Sequence, residues 1–406
     1  MNDQIRHARE VATGILNPSP SELDRGLALH KESVVVESYS LGIMAPLDAE
    51  RMSAAIESGA TDLELQDLGE DVRMTGWVDD DRLRGEFEEA WETSGVTCSY
   101  QNAGEEGNDP LRLLKRLARH TYVTDMAPDL MKRVVHPDDI VTAKHEGKRC
   151  RYMTGNGIPL AGDQTNTQEE LRYIRVFFQL GVRMMHLTYN RRNPIGDGCG
   201  EPADAGLSEF GHEAIREMNH VGVLIDIAHS GRQTGLDAAR ASERPIVISH
   251  SCAASLNEHV RCKDDETIRA VIATGGTMGI TNVPRFLGGK GDISAMLDHI
   301  DYVAKTFGTD HITIGTDRPY SSFRVAEEAA KIPKHRRIRE RWESLWPEGS
   351  RAHTSEWSQE HQVQSLMWTN WPMITVGLVQ RGYSDDDIRK IIGENILRVS
   401  RDVLTS

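Results

Sequence analysis

The chain alternates between amphipathic segments of helical period and short apolar runs rich in β-branched residues. From about residue 110 onward, each helical pattern is followed by a short buried run, as SEFGHEAIREMNHVG (208–222) is followed by VLIDIAH (223–229). This alternation favours parallel βαβ units. Six or seven such units follow a first strand at VVVES (34–38). The pattern predicts an α/β fold, a (β/α)8 TIM barrel formed by one domain that covers residues 1–406.

Three segments depart from this rhythm. Residues 1–32 predict an N-terminal extension of one or two helices, with a turn at Pro18 and Pro20. Residues 45–95 form a polar, acidic excursion, and residues 320–365 form a second polar insertion. Because loops after barrel strands often surround the active site, we expect both segments to cap the barrel mouth. The barrel core is then assigned to about 33–44 and 110–400.

Shorter patterns within the core predict individual elements. The segments LRLLKRLARH (111–120) and PDLMKRVV (128–135) predict helices, and HPD (136–138) predicts the start of another helix. RYMTGNG (151–157) predicts a strand and its turn.

Composition narrows the class of protein. Lys and Arg total 47 and Asp and Glu total 62, which gives a formal charge of −15 and argues against nucleic-acid or anionic-membrane partners. No apolar run approaches the roughly 18 residues of a membrane span, and MNDQIRHAREVATG lacks the apolar region of a secretory signal. An odd number of scattered cysteines indicates reduced thiols in a cytoplasmic protein. They are Cys98, Cys150, Cys199, Cys252 and Cys262.

Three predicted strands end in side chains that bind metals. VLIDIAH ends at His229, PIVISH at His250 and HITIGTD at Asp317. One such residue more often only hydrogen-bonds a loop. Three at the carboxyl ends of barrel strands, where active sites of this fold lie, favour a site. Imidazole and carboxylate together suit Zn²⁺ and related divalent ions.

Other side chains have two interpretations. Arg261 is either a clamp for a substrate carboxylate or a solvated partner of Asp264 or Asp265. Asp226 precedes His229 by three positions, so alternation points it to the other face of the strand and favours a structural role. A tryptophan-rich tail forms either a pocket floor or, as we favour, an interface of a homo-oligomer. It comprises Trp342, Trp346, Trp357, Trp368 and Trp371.

Several of these segments resemble one family. The runs 181–234, with LTYN, GDGC, GLSEFG and IDIAH, 245–280, with SHS, and the tail RGYSDDDIRKIIGENILRV (381–399) are similar to the renal (membrane) dipeptidase family, peptidase family M19 of the amidohydrolase superfamily. The resemblance covers about residues 110–400. It implies a (β/α)8 barrel that holds two zinc ions and cleaves dipeptides with little side-chain selectivity.

The resemblance also implies roles for individual residues. His229 and His250 correspond to the family's two later histidine ligands, and Asp317 to the aspartate that handles protons. Arg261 corresponds to the arginine that binds the substrate carboxylate, and Tyr189 lies where the family contacts substrate.

The first strand and the bridging position depart from the family. In VVVESYSLG, Tyr39 and Leu41 stand where the family has its His-x-Asp ligand pair, and Tyr39 becomes a candidate substrate contact. Gly155 best matches the position of the glutamate that bridges the two ions, and Asp163 is a poorly aligned substitute. Three of the family's five metal-ligand side chains, besides the proton-handling aspartate, are therefore missing.

The sequence leaves three functions open. The first is a hydrolase of a dipeptide or small amino-acid-derived amide, in which His229, His250 and Asp317 hold at most one Zn²⁺ or other divalent ion. The second is a metal-independent enzyme for a proton shift, elimination or condensation, whose free imidazoles titrate near neutral pH. Both bind a small substrate that bears a carboxylate. The third is a non-catalytic member of the family.

Overall fold

Parallel strands form the centre of the molecule. The computed structural model describes residues 2–104, 107–162, 166–334 and 344–404. Its strands are β1 (Val36–Ser40), β2 (Ile43–Met44), β3 (Cys98–Asn102), β4 (Met131–Val134), β5 (Arg149–Gly155), β6 (Val182–His186), β7 (Leu224–Asp226), β8 (Ile246–Ser251), β9 (Thr277–Ile280), β10 (Ile312–Ile314) and β11 (Tyr320–Ser321). Eight of them pair in parallel in the order β1-β3-β5-β6-β7-β8-β9-β10.

Side-chain contacts bring the last barrel strand against the first. The Thr313 hydroxyl of β10 donates to Ser38 Oγ of β1 across 3.2 Å. The hydroxyl of Thr316, just after β10, donates to the carboxylate of Glu37. The eight strands therefore form a nearly closed barrel, which confirms the predicted (β/α)8 fold. The short strands β2 and β11 pair separately.

Helices surround the barrel and alternate with its later strands. They are α1 (Asp3–Leu16), α2 (Pro20–Glu32), α3 (Ala49–Glu57), α4 (Asp62–Thr75), α5 (Asp81–Ser94), α6 (Pro110–Met126), α7 (Pro137–His145), α8 (Thr167–Gln179), α9 (Glu209–Val221), α10 (Arg232–Ala241), α11 (Asp265–Ala273), α12 (Pro284–Leu287), α13 (Ile293–Phe307), α14 (Val325–Lys331), α15 (Glu360–Ser365), α16 (Trp371–Gln380), α17 (Asp385–Arg389) and α18 (Asn395–Leu404). A π-helical turn, Lys390–Glu394, joins the last two.

Alternation along the strands divides the buried side chains between two layers. In β5, Cys150 and Tyr152 belong to the cluster inside the barrel, together with Tyr100 of β3. Met153 of the same strand belongs to the larger cluster between the strands and the helices. Side chains at odd and even positions of β5 thus face opposite sides of the barrel wall, as a period of two requires.

Two elements differ from the predictions. The segment 128–135, predicted as a helix, contains strand β4, which pairs in parallel with Arg149–Tyr152 of β5. The four residues of β4 are too few for hydrophobic periodicity to distinguish a strand from a helix. The pairing with β5 therefore decides the structure of this segment. Strand β3 was not predicted. The helix start at HPD is confirmed, because α7 begins at Pro137.

The polar excursion and the described part of the C-terminal insertion both contain helices. Residues 45–95 form α3, α4 and α5, which precede β3.

Trp368 and Trp371 are buried in the core with 1% exposure, so the prediction that they form an oligomer interface is wrong. Trp342 lies outside the described residues. All five cysteines are free thiols. No helix in the described ranges has the length and apolar character needed to cross a membrane.

Candidate functional site

A cavity of about 600 Å³ opens at the carboxyl ends of the barrel strands and contains most of the predicted site residues. Tyr39, Tyr189, His229, Arg261 and Asp317 all line it. Helix α4 and residues of the segment 346–353 line it too, so parts of the excursion and of the insertion form its wall.

The predicted site residues come from different elements. Tyr39 lies in β1 and His250 in β8, whereas His229 lies in a turn three residues beyond the end of β7. Asp317 follows β10 and has a positive φ of 56°. A left-handed backbone is uncommon for a residue other than glycine, and such conformations concentrate at functional sites.

Two imidazoles face one another at the centre of the site. The Nε2 atoms of His229 and His250 lie 3.0 Å apart. The Nδ1 atom of His229 lies 2.7 Å from Asn190 Oδ1, an acceptor, so Nδ1 carries the proton. The His250 Nδ1 atom lies 2.7 Å from Ser249 Oγ, whose hydroxyl donates to Asp226. Both distal nitrogens are therefore donors, and both Nε2 atoms present lone pairs to each other.

His186 is a third imidazole in this group, and the sequence analysis missed it. In the described part of the chain, one ring nitrogen each of His186, His229 and His250 lies within 4.8 Å of the others. The His186 side chain is fully buried, and its Nδ1 has no hydrogen-bond partner among the described residues. His186 ends the apolar run of β6, so the strand-end rule that found His229 and His250 would have found it.

Asp226 contacts His186 and Ser249 within the imidazole group, contrary to the structural role predicted for it. Its Oδ2 lies 2.6 Å from His186 Nε2, and it accepts hydrogen bonds from the backbone N–H and hydroxyl of Ser249. The prediction applied strand alternation from His229, but β7 ends at Asp226 and the chain turns before His229. Asp226 therefore orients His186 directly and His250 through Ser249.

Aromatic rings flank the pair of imidazoles. Tyr39 stacks on His250 with ring centroids 3.8 Å apart, and Tyr189 stacks on His229 at 4.0 Å. The Tyr39 hydroxyl donates to Asn156 Oδ1 across 2.5 Å. Asn156 adjoins Gly155, the position matched to the bridging glutamate, while Asp163 lies outside the described residues.

Arg261 is buried beside the imidazoles and is 1% exposed. Its guanidinium donates to the Ala228 carbonyl and approaches His229 Nε2 at 3.2 Å. The alternative of a solvated arginine paired with Asp264 is wrong, because Arg232 makes that ion pair. Its Nε has no hydrogen-bond partner among the described residues, so a donor remains for a ligand.

Burial sets the protonation of the site. Burial, and then the charge of Arg261, lower the pKa of His229 and His250 well below the usual value, so both imidazoles are neutral. The expectation that these imidazoles titrate near neutral pH is therefore wrong. Burial raises the pKa of Asp317 to about 6, against the opposing effect of Arg261. Neutral imidazole is the form that binds metals.

Comparison with known proteins finds similar sequences among dipeptidases. The family model for membrane dipeptidase (peptidase family M19) matches residues 23–334. Dipeptidase tcpJ of Claviceps purpurea is 25% identical over 287 residues, 69% of this chain and 57% of that protein. The uncharacterized dipeptidase C965.12 of Schizosaccharomyces pombe is 33% identical over 196 residues, 46% of each chain. The chain spans about half the length of these curated relatives.

A solved structure shows the same fold. An amidohydrolase from Pseudomonas aeruginosa superimposes with a TM-score of 0.68 at 24% identity, covering 94% of this chain and 99% of that one.

Proposed function

Because this chain belongs to the membrane dipeptidase family, peptidase family M19, we propose that it is a metal-dependent hydrolase that works with a single ion. Its proposed substrates are dipeptides or small amides derived from amino acids. The names of its relatives support this class of reaction, since tcpJ is named a dipeptidase and C965.12 an uncharacterized dipeptidase. The observation that carries the proposal is the group of three buried imidazoles.

The donor set of this group fits a divalent ion. The facing Nε2 lone pairs of two neutral imidazoles 3.0 Å apart repel each other, and a cation between them removes this repulsion. Arg261 Nη2, 3.2 Å away, can donate only to the lone pair of His229. His186 adds a third imidazole with an unsatisfied buried nitrogen. Acceptors on Asn190, Ser249 and Asp226 hold the distal ring nitrogens, as the outer shells of metal sites do. Three imidazoles are a sufficient set for a catalytic Zn²⁺.

The chain's own residues supply the remaining functions. An ion held by the imidazoles would polarise the scissile carbonyl and increase the acidity of water. Asp317 takes the proton of the attacking water and returns it to the leaving amine. Arg261 binds the substrate carboxylate through donors that no carboxylate of the described residues occupies. Tyr189, beside His229, packs against the substrate backbone.

The proposal includes one ion rather than the two of the family resemblance. Tyr39 and Leu41 stand at the positions of the first ligand pair, and neither provides a good metal ligand. The Tyr39 ring lies directly on His250, and its hydroxyl is bonded to Asn156. The stacked ring thus fills space next to the imidazoles, where a second ion would need ligands.

The experiment is a hydrolysis assay with metal removal. Wild-type protein is assayed on alanyl dipeptides as purified, after chelation, and after Zn²⁺ is added back, with metal content measured in each sample. We expect activity to disappear on chelation and to return at about one equivalent. His186→Ala is expected to lose the ion, whereas His220→Ala, on the exposed side of α9, is expected to keep it.

Two results would overturn the proposal. Hydrolysis that survives complete chelation would show that the reaction needs no ion. A protein that holds its ion and hydrolyses none of the dipeptides or amides would show that the reaction is of another type.

A further inference from the structure

Arg151 is a buried cation that the proposed reaction does not use. It lies in β5 between Cys150 and Tyr152, which face the barrel interior, so its side chain lies on the outer side of the wall. It is 2% exposed, and its Nη1 contacts His120 Nδ1 at 3.1 Å. Within the described ranges it makes no ion pair with a carboxylate, and its Nε has no hydrogen-bond partner. A buried charge without a counter-ion is costly, and an anionic ligand would supply the missing counter-charge.

Its neighbour is suited to orient it. His120 of α6 is buried, and burial and the charge of Arg151 lower its pKa well below the usual value. A neutral His120 accepts through Nδ1 and fixes the guanidinium without neutralising it. The positive charge of Arg151 therefore remains available.

Arg151 lines the same cavity as the imidazole site. Four arginines, among them Arg151 and Arg261, line this cavity together with three carboxylates. One of those carboxylates, Glu70, is already bonded to Arg112 and Arg116. The cavity lining thus carries an excess of positive charge in a protein whose formal charge is −15.

The neighbouring strand β3 carries acceptors without partners in the described part of the chain. The register pairs Arg151 with Ser99 and Met153 with Gln101, so Gln101 falls on the Arg151 face and Asn102, paired with Thr154, on the other. Gln101 and Asn102 of β3, the strand paired with β5, are at least 96% buried and line the cavity. Their side-chain carbonyl oxygens have no hydrogen-bond partner among the described residues. A ligand that pairs with both the Arg151 guanidinium and these amide oxygens carries an acidic group and N–H donors together, as an acidic amino-acid residue does.

Resting on the proposed function, we infer that Arg151 forms a second anion subsite, which binds the side-chain carboxylate of an acidic residue in the substrate. Arg261 then holds one carboxylate and Arg151 another. Arg151 lies four residues before Gly155 at the end of its strand, a separation of roughly 13 Å at about 3.3 Å per residue. A ligand that reaches both Arg261 and Arg151 must hold its two carboxylates at the spacing of the two guanidiniums, which makes binding depend on chain length.

Equilibrium binding tests the subsite without requiring hydrolysis. Calorimetry measures the affinity of wild-type protein for linear dicarboxylates from succinate to suberate and for monocarboxylates of equal length. We expect one dicarboxylate length to bind about tenfold more tightly than its monocarboxylate, as a charge-assisted bond to a guanidinium would give. Equal affinities at every length would overturn the inference.

Variants separate a binding role from a structural one. Arg151→Gln should abolish the preference for the dicarboxylate, Arg151→Lys should keep part of it, and Arg172→Gln, an exposed arginine of α8, should not change it. Because Arg151 has no counter-ion, Arg151→Gln should unfold at a temperature equal to or above that of wild type. If the Gln variant folds and keeps the full preference, Arg151 is not the subsite. If it fails to fold, an unchanged preference in Arg151→Lys, whose ammonium lacks the planar fork, overturns the inference.

Hydrolysis distinguishes failure of the subsite from failure of the proposed function. Wild-type protein should cleave Ala-Glu or Glu-Ala with a kcat/KM about tenfold above that for the Gln counterpart. If all these peptides are cleaved equally well, the subsite is wrong and the hydrolase stands. If dicarboxylates bind with the expected preference and no peptide is cleaved, the subsite stands and the hydrolase is wrong.

Discussion

The Nε2 atoms of His229 and His250 face each other across 3.0 Å, and each ring donates its distal N–H to a neighbouring oxygen. Both rings are neutral because burial and Arg261 lower their pKa. The pair therefore presents two lone pairs to one point, with His186 beside it. This relationship, in addition to the family membership, supports the proposal that the site binds a cation.

The first prediction concerns Asn190, which accepts from His229 Nδ1 at 2.7 Å and is fully buried. Asn190→Ala should weaken Zn²⁺ binding about 10- to 100-fold, because the distal nitrogen loses the acceptor that fixes its proton. Competition with a chromophoric chelator measures the affinity. Asn219→Ala, whose side chain contacts Ser242 away from the site, serves as the control. An unchanged affinity in Asn190→Ala would show that the ring is not held for a metal.

The second prediction concerns Arg261. Arg261→Lys should lower kcat/KM for a dipeptide about 100-fold, mainly through KM, because an ammonium cannot replace the planar fork. The C-terminal amide of the same dipeptide, which lacks the carboxylate, should be affected far less. Steady-state kinetics on both substrates check this, with Arg240→Lys on the exposed side of α10 as the control. Equal losses on both substrates would assign Arg261 to holding His229 instead.

The third prediction concerns pH and Glu37. Burial raises the pKa of Glu37 to about 7, against hydrogen bonds from Thr316 and Trp368 that lower it. The folded protein therefore binds a proton that the unfolded chain, with an ordinary carboxyl pKa near 4.5, has released. The resulting stabilisation is complete below pH 4.5 and is lost as pH rises through 7.

Glu37→Gln does not titrate, so its unfolding temperature relative to wild type should increase from pH 5 to pH 8, equivalent to about 2 kcal/mol. Thermal unfolding of both proteins across this range measures the difference. All other titrating groups are shared, and a difference that stays constant with pH would contradict the assignment.

The fourth prediction concerns the attachment of α4 over the cavity. Glu70 of α4 accepts from Arg112, Arg116 and Arg119 of α6. Glu70→Ala leaves these arginines crowded together without that carboxylate, which should loosen the helix locally. Hydrogen exchange should become faster in residues 62–75 and remain unchanged in α9. Unchanged exchange in α4 would show that packing alone holds it.

The alternation of helices and strands was sufficient to predict the barrel, because each βαβ unit has a local signature. The same local reasoning failed at β4, where strand and helix patterns of four residues are indistinguishable and pairing with β5 decides. It also failed for Asp226, since strand alternation stops where the strand stops. The bounds of such an element depend on contacts distant in sequence.

The sequence predicted only part of the site, again because some of its contacts join residues that are distant in sequence. Strand-end side chains identified His229, His250 and Asp317, and the family resemblance identified Arg261. His186 also ends its strand, β6, but the sequence analysis did not apply the strand-end rule there, and its pairing with Asp226 is seen only in the structure. The Tyr39–Asn156 hydrogen bond joins β1 to the end of β5, and such a pair becomes visible only when the barrel closes.

The most direct measurement is anomalous diffraction at the zinc edge from crystals of the wild-type protein grown with Zn²⁺. The account predicts one strong peak at the barrel mouth, about 2.0–2.1 Å from a ring nitrogen of each of His186, His229 and His250. Two peaks, or none at these three imidazoles, would contradict it.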